Sequence, residues 1–494
     1  MERAASPPTP SFATGARLFV CAVAIAHAVA FASFWVQADG LVGPSGILPA
    51  GRYFALAREQ LGRQAWYEVP SLCWVFGADG FLKALCAIGI GLSVLVLLGY
   101  APAACLALMW AFSLSLASAG QVFFDFQWDS LLLECTLVAV FLVPWTLRHA
   151  RAPCDPPRLA RYLAWWLLFR LMFLSGLVKL ASGDPTWRHL TALTFHYQTQ
   201  PLPTVLAWYA HKFPAWFQVA SCAAMFAVEL VAPLLIIAPR PLRHCAALAL
   251  VSLQVVIALT GNYAFFNLLS IGLCLTCLDD DWWRRRNWGV AQPAGSPRPD
   301  EARIKATALR WFAALSVGVT FFMLVASLSP SAAGSPIVRL VGEAVDPLRS
   351  FNNYGLFAVM TVERPELVFE GSDDGRDWRE YGLPYKPGDL SRRPAWVAPY
   401  QPRLDWQLWF AALGPPRSNP WVGTLCERLL DGDAAVLGLF SHNPFPGHPP
   451  RLVRVVRYSY EFTSAAERAR TGNWWRRTPL DFYIPPVSLP QDSQ

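Results

Sequence analysis

The stretch "RYLAWWLLFRLMFLSGLVKLASGDPTW" (Arg161–Trp187) decides what kind of protein this is. Between Tyr162 and Ala181 only Arg170 and Lys179 are charged. As a helix, such a run crosses a hydrocarbon core of ~30 Å. The lysine near its end poses a choice. From there it can extend its ammonium to the interface along its apolar stem. Alternatively it stays inside with a depressed pKa, as a base or anion anchor near the outer mouth.

The rest of the chain repeats this pattern up to about residue 328. Of its 494 residues 54% are hydrophobic and 15% charged, against about 25% charged in soluble domains. Nine candidate spans follow, near 18–37, 80–98, 101–119, 131–147, 161–181, 215–238, 243–260, 263–279 and 310–328. The first is too long for the core of a signal peptide and reads as a retained helix. Pro102 turns the second span into the third. "TGNYAFFN" (Thr260–Asn267) turns the seventh into the eighth. The expected fold is a polytopic α-helical membrane protein carrying a C-terminal, exoplasmic, β-rich α+β domain. Its parts are a cytoplasmic segment 1–17, a membrane domain 18–328 and an exterior domain 329–494.

Basic residues set the orientation. With the N-terminus cytoplasmic, the inner segments hold fifteen Lys and Arg and the outer loops five. An odd number of spans then places the tail outside, in a periplasm or an endoplasmic reticulum lumen. The net charge of +7 is no nucleic-acid signal: the tail has 18 basic and 18 acidic residues, so the excess lies in the membrane part. The tail has one cysteine, Cys426, and must stand on its core rather than on disulfides.

Within the tail, "GLFAVMTV", "ELVFEGS" and "WREYGL" read as short strands, with Asp374-Gly375 as a hairpin turn. "RLVRVVRYSYEF" alternates, with Val456, Tyr458, Tyr460 and Phe462 on one face. "PRLDWQLWFAAL" and "PWVGTLCERLLDG" read as helices, the second stopped by Gly432. "YKPGDLSRRPAWVAPYQPRLDW" (Tyr385–Trp406) is dense in Pro, Arg and aromatics. It is either a wrapped structural loop or a contact surface for a client protein, through Arg392, Arg393, Trp396, Tyr400, Arg403 and Trp406.

Four ionisable residues fall in or beside the spans, where charges need a partner or a cavity. Counting residues inward puts Arg170 and Glu229 at the same depth, ~14 Å, so they are expected to pair. Lys179 and Glu134 match near the outer face, with Asp129 close to that level. No metal or cofactor is expected. Histidines such as His189 and His196 lack ligand spacing, and "CLTC" (Cys274–Cys277) stands without a second cysteine pair. No P-loop, nucleophile elbow or zinc-protease motif occurs.

Several segments together resemble the lipase maturation factor family. They are "FQWDSLLLE" (126–134), "RLMFLSGLVKLASGDPTWR" (170–188), "FHYQTQPLPT" (195–204), "ALTGNYAFFNLL" (258–269) and the block 352–413, with "LFSHNPFP" and "NWWRRTPLDFYIPP" after it. The resemblance implies a membrane-anchored, non-enzymatic folding or assembly factor whose partner is an exported, lipase-like client. Animal members sit in the endoplasmic reticulum membrane. Arginine-rich usage and compact loops suggest a bacterial member, in the inner membrane with a periplasmic tail. A weaker likeness links "LSGLVKLASGDPTW" to the vitamin K-dependent gamma-carboxylase group, in which the lysine of "GxxKL…DW" is the catalytic base. Here two extra residues, including Gly183 and Pro185, separate Lys179 from Trp187. That likeness implies an alternative: a membrane enzyme with Lys179 as base and Asp129, Glu134, Asp184 and His196 as neighbours.

Overall fold

The structure is a computed structural model that describes residues 10–147, 155–288, 299–328 and 335–489. Arg3, Arg148, Arg151 and Arg298, which count toward the orientation, lie outside the described residues.

Among the described residues, seven helices are long and apolar enough to cross a membrane. Helix α1 (Ala13–Trp35) is the centre of the bundle, its His27 held by Thr136 at 2.7 Å and Ser113 at 3.1 Å. Helices α2 (Phe81–Leu98) and α3 (Pro102–Ala119) form the expected hairpin. Gly99 ends α2 at φ +81°, a left-handed cap that favours glycine, and Pro102 opens α3 where its missing N–H costs nothing.

Two of the nine expected spans are helices shorter than these seven. Helix α4 runs Gln127–Leu142 and begins before the expected 131. The expected 263–279 span shrinks, as described below, to ten residues. Their apolar runs come from burial inside the bundle rather than from contact with lipid. Leu131, Leu132, Leu133 and Cys135 of α4 are all buried, and a short buried helix has the same composition as a short span.

Helix α5 (Arg158–Ala181) is the run quoted at the outset. The segment after it contains the short helix α6 (Leu193–Thr199) and leads to α7 (Ala215–Val231), which continues as a 3-10 turn to Ile237. Helices α8 (Arg240–Thr260), α9 (Phe266–Leu275) and α10 (Pro299–Leu328) complete the membrane part.

The C-terminal part is built on one antiparallel sheet in the order β2-β1-β3-β4. Its strands are β1 (Pro365–Ser372), β2 (Arg379–Glu380), β3 (Leu452–Phe462) and β4 (Trp475–Val487). The β1–β2 hairpin turns where expected: Gly375 is at φ +72°, and Asp374 accepts from the backbone N–H groups of Arg376 and Asp377. Strand β3 is central, so Val453 and Val455 are buried as well as the expected Val456, Tyr460 and Phe462, and bulges interrupt its pairing with β4. The two expected helices form as α11 (Arg403–Ala412) and α12 (Trp421–Asp431).

"GLFAVMTV" is not a strand. Gly355–Thr361 is irregular chain laid into the top of the bundle. Its backbone groups are bonded to side chains of the membrane part: Met360 N–H donates to Asp184 at 2.6 Å, and Phe357 C=O accepts from Trp187 Nε1 at 3.0 Å. A backbone satisfied this way has no need of a sheet. One hydrophobic core runs through both parts, from Phe34 and Trp128 to Trp406, Leu408 and Val455.

Candidate functional site

The four buried charges of the membrane part pair, but not in the expected combinations. Arg170 bonds Glu134, and Lys179 bonds both carboxylate oxygens of Glu229, at 2.8 and 3.0 Å. The depth count fails because it assumes that every helix starts in one plane. Glu134 is mid-helix once α4 begins at Gln127. Lys179, in the last turn of α5, meets Glu229 in the last turn of α7, so equal counts from the helix ends do not mean contact. Gly176 fixes that contact, because a Cβ there would come within 3.0 Å of Glu229 Cβ and 2.9 Å of Leu230. Gly176→Leu should therefore wedge α5 from α7. Overpacking of this kind costs ~1–3 kcal/mol, read as a lower Tm of the detergent-purified protein. An unchanged Tm would show that the helices do not depend on this contact.

Lys179 therefore does not extend its ammonium outward but is enclosed by protein. It is 5% exposed, its ammonium lies 5.5 Å from the Trp187 ring centroid, and the 182–204 segment and Gly355–Met360 cover it. Beside it opens a cavity of about 420 Å³ between α5, α7 and α8. Lys179, Glu229, His196 and Tyr263 are among its polar lining residues; Met225, Phe217 and Leu171 are typical of the apolar ones. His196 contacts Tyr263 Oη at 3.2 Å. Burial, with a contribution from Lys179, lowers its pKa to about 4, so it is neutral at physiological pH.

The other neighbours expected around Lys179 are engaged elsewhere. Glu134 is tied to Arg170, Tyr354 and Asn352. Asp184 caps a helical turn through Thr186 and holds Met360. Burial acts to raise the Asp184 pKa, but these bonds outweigh it and hold the carboxyl below the ordinary range. Asp129 makes a two-pronged pair with Arg403, both contacts at 3.0 Å. The structure thus brings Lys179 together with His196 and not with Asp129, Glu134 or Asp184.

The expected client surface also divides. Arg403 is 0% exposed, and Trp406 is 3% exposed and packed edge-on against Trp128. Both belong to the seam between the C-terminal and membrane parts. Arg392 donates to the carbonyls of Leu383 and Lys386, bracing its own loop. Trp396, at 59% exposure, and Arg393 face outward, and Tyr400 is half-buried against Tyr385.

The seam contains residues that spacing alone did not single out. Arg364, fully buried, donates to the carbonyls of Gln198, Gln200 and Pro201 and pairs with Glu366, which also holds Lys386. Asn262 accepts from Val397 and Ala398 N–H and donates to Ala395 C=O. Gln37 joins Gln401 and Arg403 through their backbones. Many of these residues sit in the segments that carry the family resemblance: "FHYQTQPLPT", "TGNYAFFN" and 352–413. That clustering was the available signal.

A helical membrane bundle locked by buried polar contacts to a C-terminal sheet domain defines a class: polytopic membrane proteins whose sheet domain is packed directly on the bundle. Two family models match the chain, the lipase maturation factor transmembrane domain over residues 14–285 and the lipase maturation factor C-terminal domain over 350–485. The chain belongs to the lipase maturation factor family. It is 37% identical to lipase maturation factor 2 of Homo sapiens, with 96% of this chain and 82% of that protein covered. For lipase maturation factor 2 of Gallus gallus the figures are 36%, 96% and 81%, and for lipase maturation factor 1 of Bos taurus 34%, 94% and 88%. No solved structure matches. The enzyme alternative finds no support in these relatives.

Proposed function

We propose that this protein is a membrane-anchored maturation factor that helps exported lipases fold or assemble. The observation that carries the reading is the match to named lipase maturation factors across both the membrane part and the exterior part. In this reading residues 1–17 face the cytoplasm, 18–328 form the membrane domain and 329–494 form the exoplasmic domain. That domain faces the endoplasmic reticulum lumen in eukaryotic membranes, or the periplasm if the chain is bacterial. The buried seam supports it, because a client surface presented by a rigid domain loses little conformational entropy on binding.

The client contact is assigned to the outward remainder of the proline-rich loop: Arg393, Trp396 and Tyr400. Exposed Trp and Arg are the residue types that dominate binding energy, a truncation costing ~2 kcal/mol or more at a hot spot. The expected outcome for Arg393→Ala/Trp396→Ala is a several-fold drop in active lipase secreted from cells that depend on this protein. Its own membrane level should stay unchanged, as measured by blotting. Undiminished lipase activity would refute the surface. Loss of lipase together with loss of this protein would assign the loop a structural role.

A further inference from the structure

The cavity beside Lys179 has a property that client binding does not use. Its rim is apolar and exposed. Phe213 and Phe217 of its lining are 51% and 37% exposed at the entrance to α7, and Val256 on α8 is 53% exposed. Phe217 and Val256 belong to helices long and apolar enough to cross a membrane, so the mouth is placed to receive lipid. At about 420 Å³, the cavity falls within the ~300–1,000 Å³ of small-molecule sites.

The polar wall selects the head group. Lys179 gives hydrogen bonds to both oxygens of Glu229, so its charge is already matched. Glu229 would repel an anionic head, and unpaired charge at this depth is costly. The hydrogen-bond chain then fixes the state of His196. Gln200 Nε2 donates to the carbonyls of Tyr197 and Thr260, so Oε1 is its acceptor. Tyr263 Oη donates to that Oε1 at 2.8 Å and therefore accepts from His196 Nε2 at 3.2 Å. Neutral imidazole with its proton on Nε2 has a lone pair on Nδ1. That atom is buried and has no partner. The site lacks one hydrogen-bond donor.

We propose that the cavity holds the apolar tail of an uncharged, hydroxyl-bearing membrane lipid, whose hydroxyl donates to His196 Nδ1. Long-chain acylglycerols and sterols share this chemistry. The cavity also shares Leu356 and Phe357 with a groove of about 380 Å³ beneath the exterior domain, lined by Trp406, Trp409 and Phe410. The occupant thus touches the segment on which the exterior domain rests. The proposal does not depend on the client reading.

The test uses the full chain in phosphatidylcholine nanodiscs, with three photoactivatable, alkyne-tagged probes: a monoacylglycerol, a sterol and a fatty acid. The monoacylglycerol or the sterol should label peptides from α7 and α8, and excess unlabelled compound of the same type should suppress the labelling. Which of the two labels identifies the source. Ser221→Trp, which fills the cavity, should abolish it, with Met225→Trp as the second variant should the first fail to accumulate. His196→Phe should reduce labelling by roughly fivefold, the equivalent of one hydrogen bond. It should also erase the preference for the free hydroxyl over its methyl ether. Three results would overturn the proposal: no saturable labelling, labelling unchanged in both tryptophan variants, or a fatty acid probe labelling as well as the uncharged ones.

Discussion

Arg403→Met is expected to strip most of the protein from the membrane. Arg403 has 0% exposure and donates to Asp129 through two nitrogens and to Phe123 C=O at 2.6 Å, while its guanidinium lies 3.4 Å from the Phe124 ring centroid. Methionine fills much of the volume but leaves the Asp129 carboxylate buried with Gln401, at 3.5 Å, as its remaining side-chain donor. Removing one partner of a buried pair costs ~3–5 kcal/mol, a large part of a total stability of ~5–15 kcal/mol. Replacing both partners is a different matter, because an apolar substitute for a buried pair is often neutral. Arg403→Met/Asp129→Leu should therefore recover much of the level that the single variant loses. The measurements are accumulation in membranes and Tm of the purified full chain. A single variant at the parental level and Tm would show that the seam does not rest on this pair.

The same residue shows what the sequence could and could not convey. Arg403 and Trp406 have the composition of a binding surface, and they do form one, but within the chain. Arginine and tryptophan are chosen for the same reasons whether the interface joins two proteins or two halves of one: planar, multidentate hydrogen bonding and large apolar area. Only the packing of Trp128 against Trp406 and the partner of Arg403 tell the cases apart. Trp396 and Arg393, a few residues away in the same loop, have the opposite exposure.

Hydropathy conveyed the bundle well where helices face lipid on one side, as in α2, α7 and α8. It gave the same signal for the shorter helices α4 and α9, which are enclosed by others, since burial in protein and burial in lipid select the same residues. "GLFAVMTV" was misleading for a related reason. Its β-like composition serves packing against the bundle, where Gly355 comes within van der Waals contact of Val178, and its N–H and C=O groups find side-chain partners. The need for partners was legible for Arg170, Lys179, Glu134 and Glu229, because charges in hydrocarbon are seldom left alone. Which charge meets which was not, because the packing of α5 against α7 is set by the Gly176 contact and by the segment wedged above Lys179.

Charge exchange separates the two pairings with a large effect. Arg170→Glu alone sets two carboxylates together and leaves Asn352 C=O, which accepts from Arg170 Nη1 at 2.7 Å, without its donor. Glu134→Arg alone buries two guanidiniums beside the Tyr354 hydroxyl, which now donates to Glu134 at 2.6 Å. Each single change should cost at least the ~3–5 kcal/mol of a broken buried pair and reduce accumulation to near background. Arg170→Glu/Glu134→Arg restores opposite charges at contact distance, so part of the level should return. Full recovery is not expected, since Tyr354 and Asn352 are placed for a carboxylate on α4 and a donor on α5. Arg170→Glu/Glu229→Arg should recover nothing, since it also leaves Lys179 facing an arginine. Lys179→Glu/Glu229→Lys should recover in its turn. The readout is the steady-state level of tagged protein in isolated membranes together with its Tm after extraction. Recovery by Arg170→Glu/Glu229→Arg, with none by Arg170→Glu/Glu134→Arg, would mean that α5 meets its neighbours in a different register, and the cavity beside Lys179 would lose its polar wall.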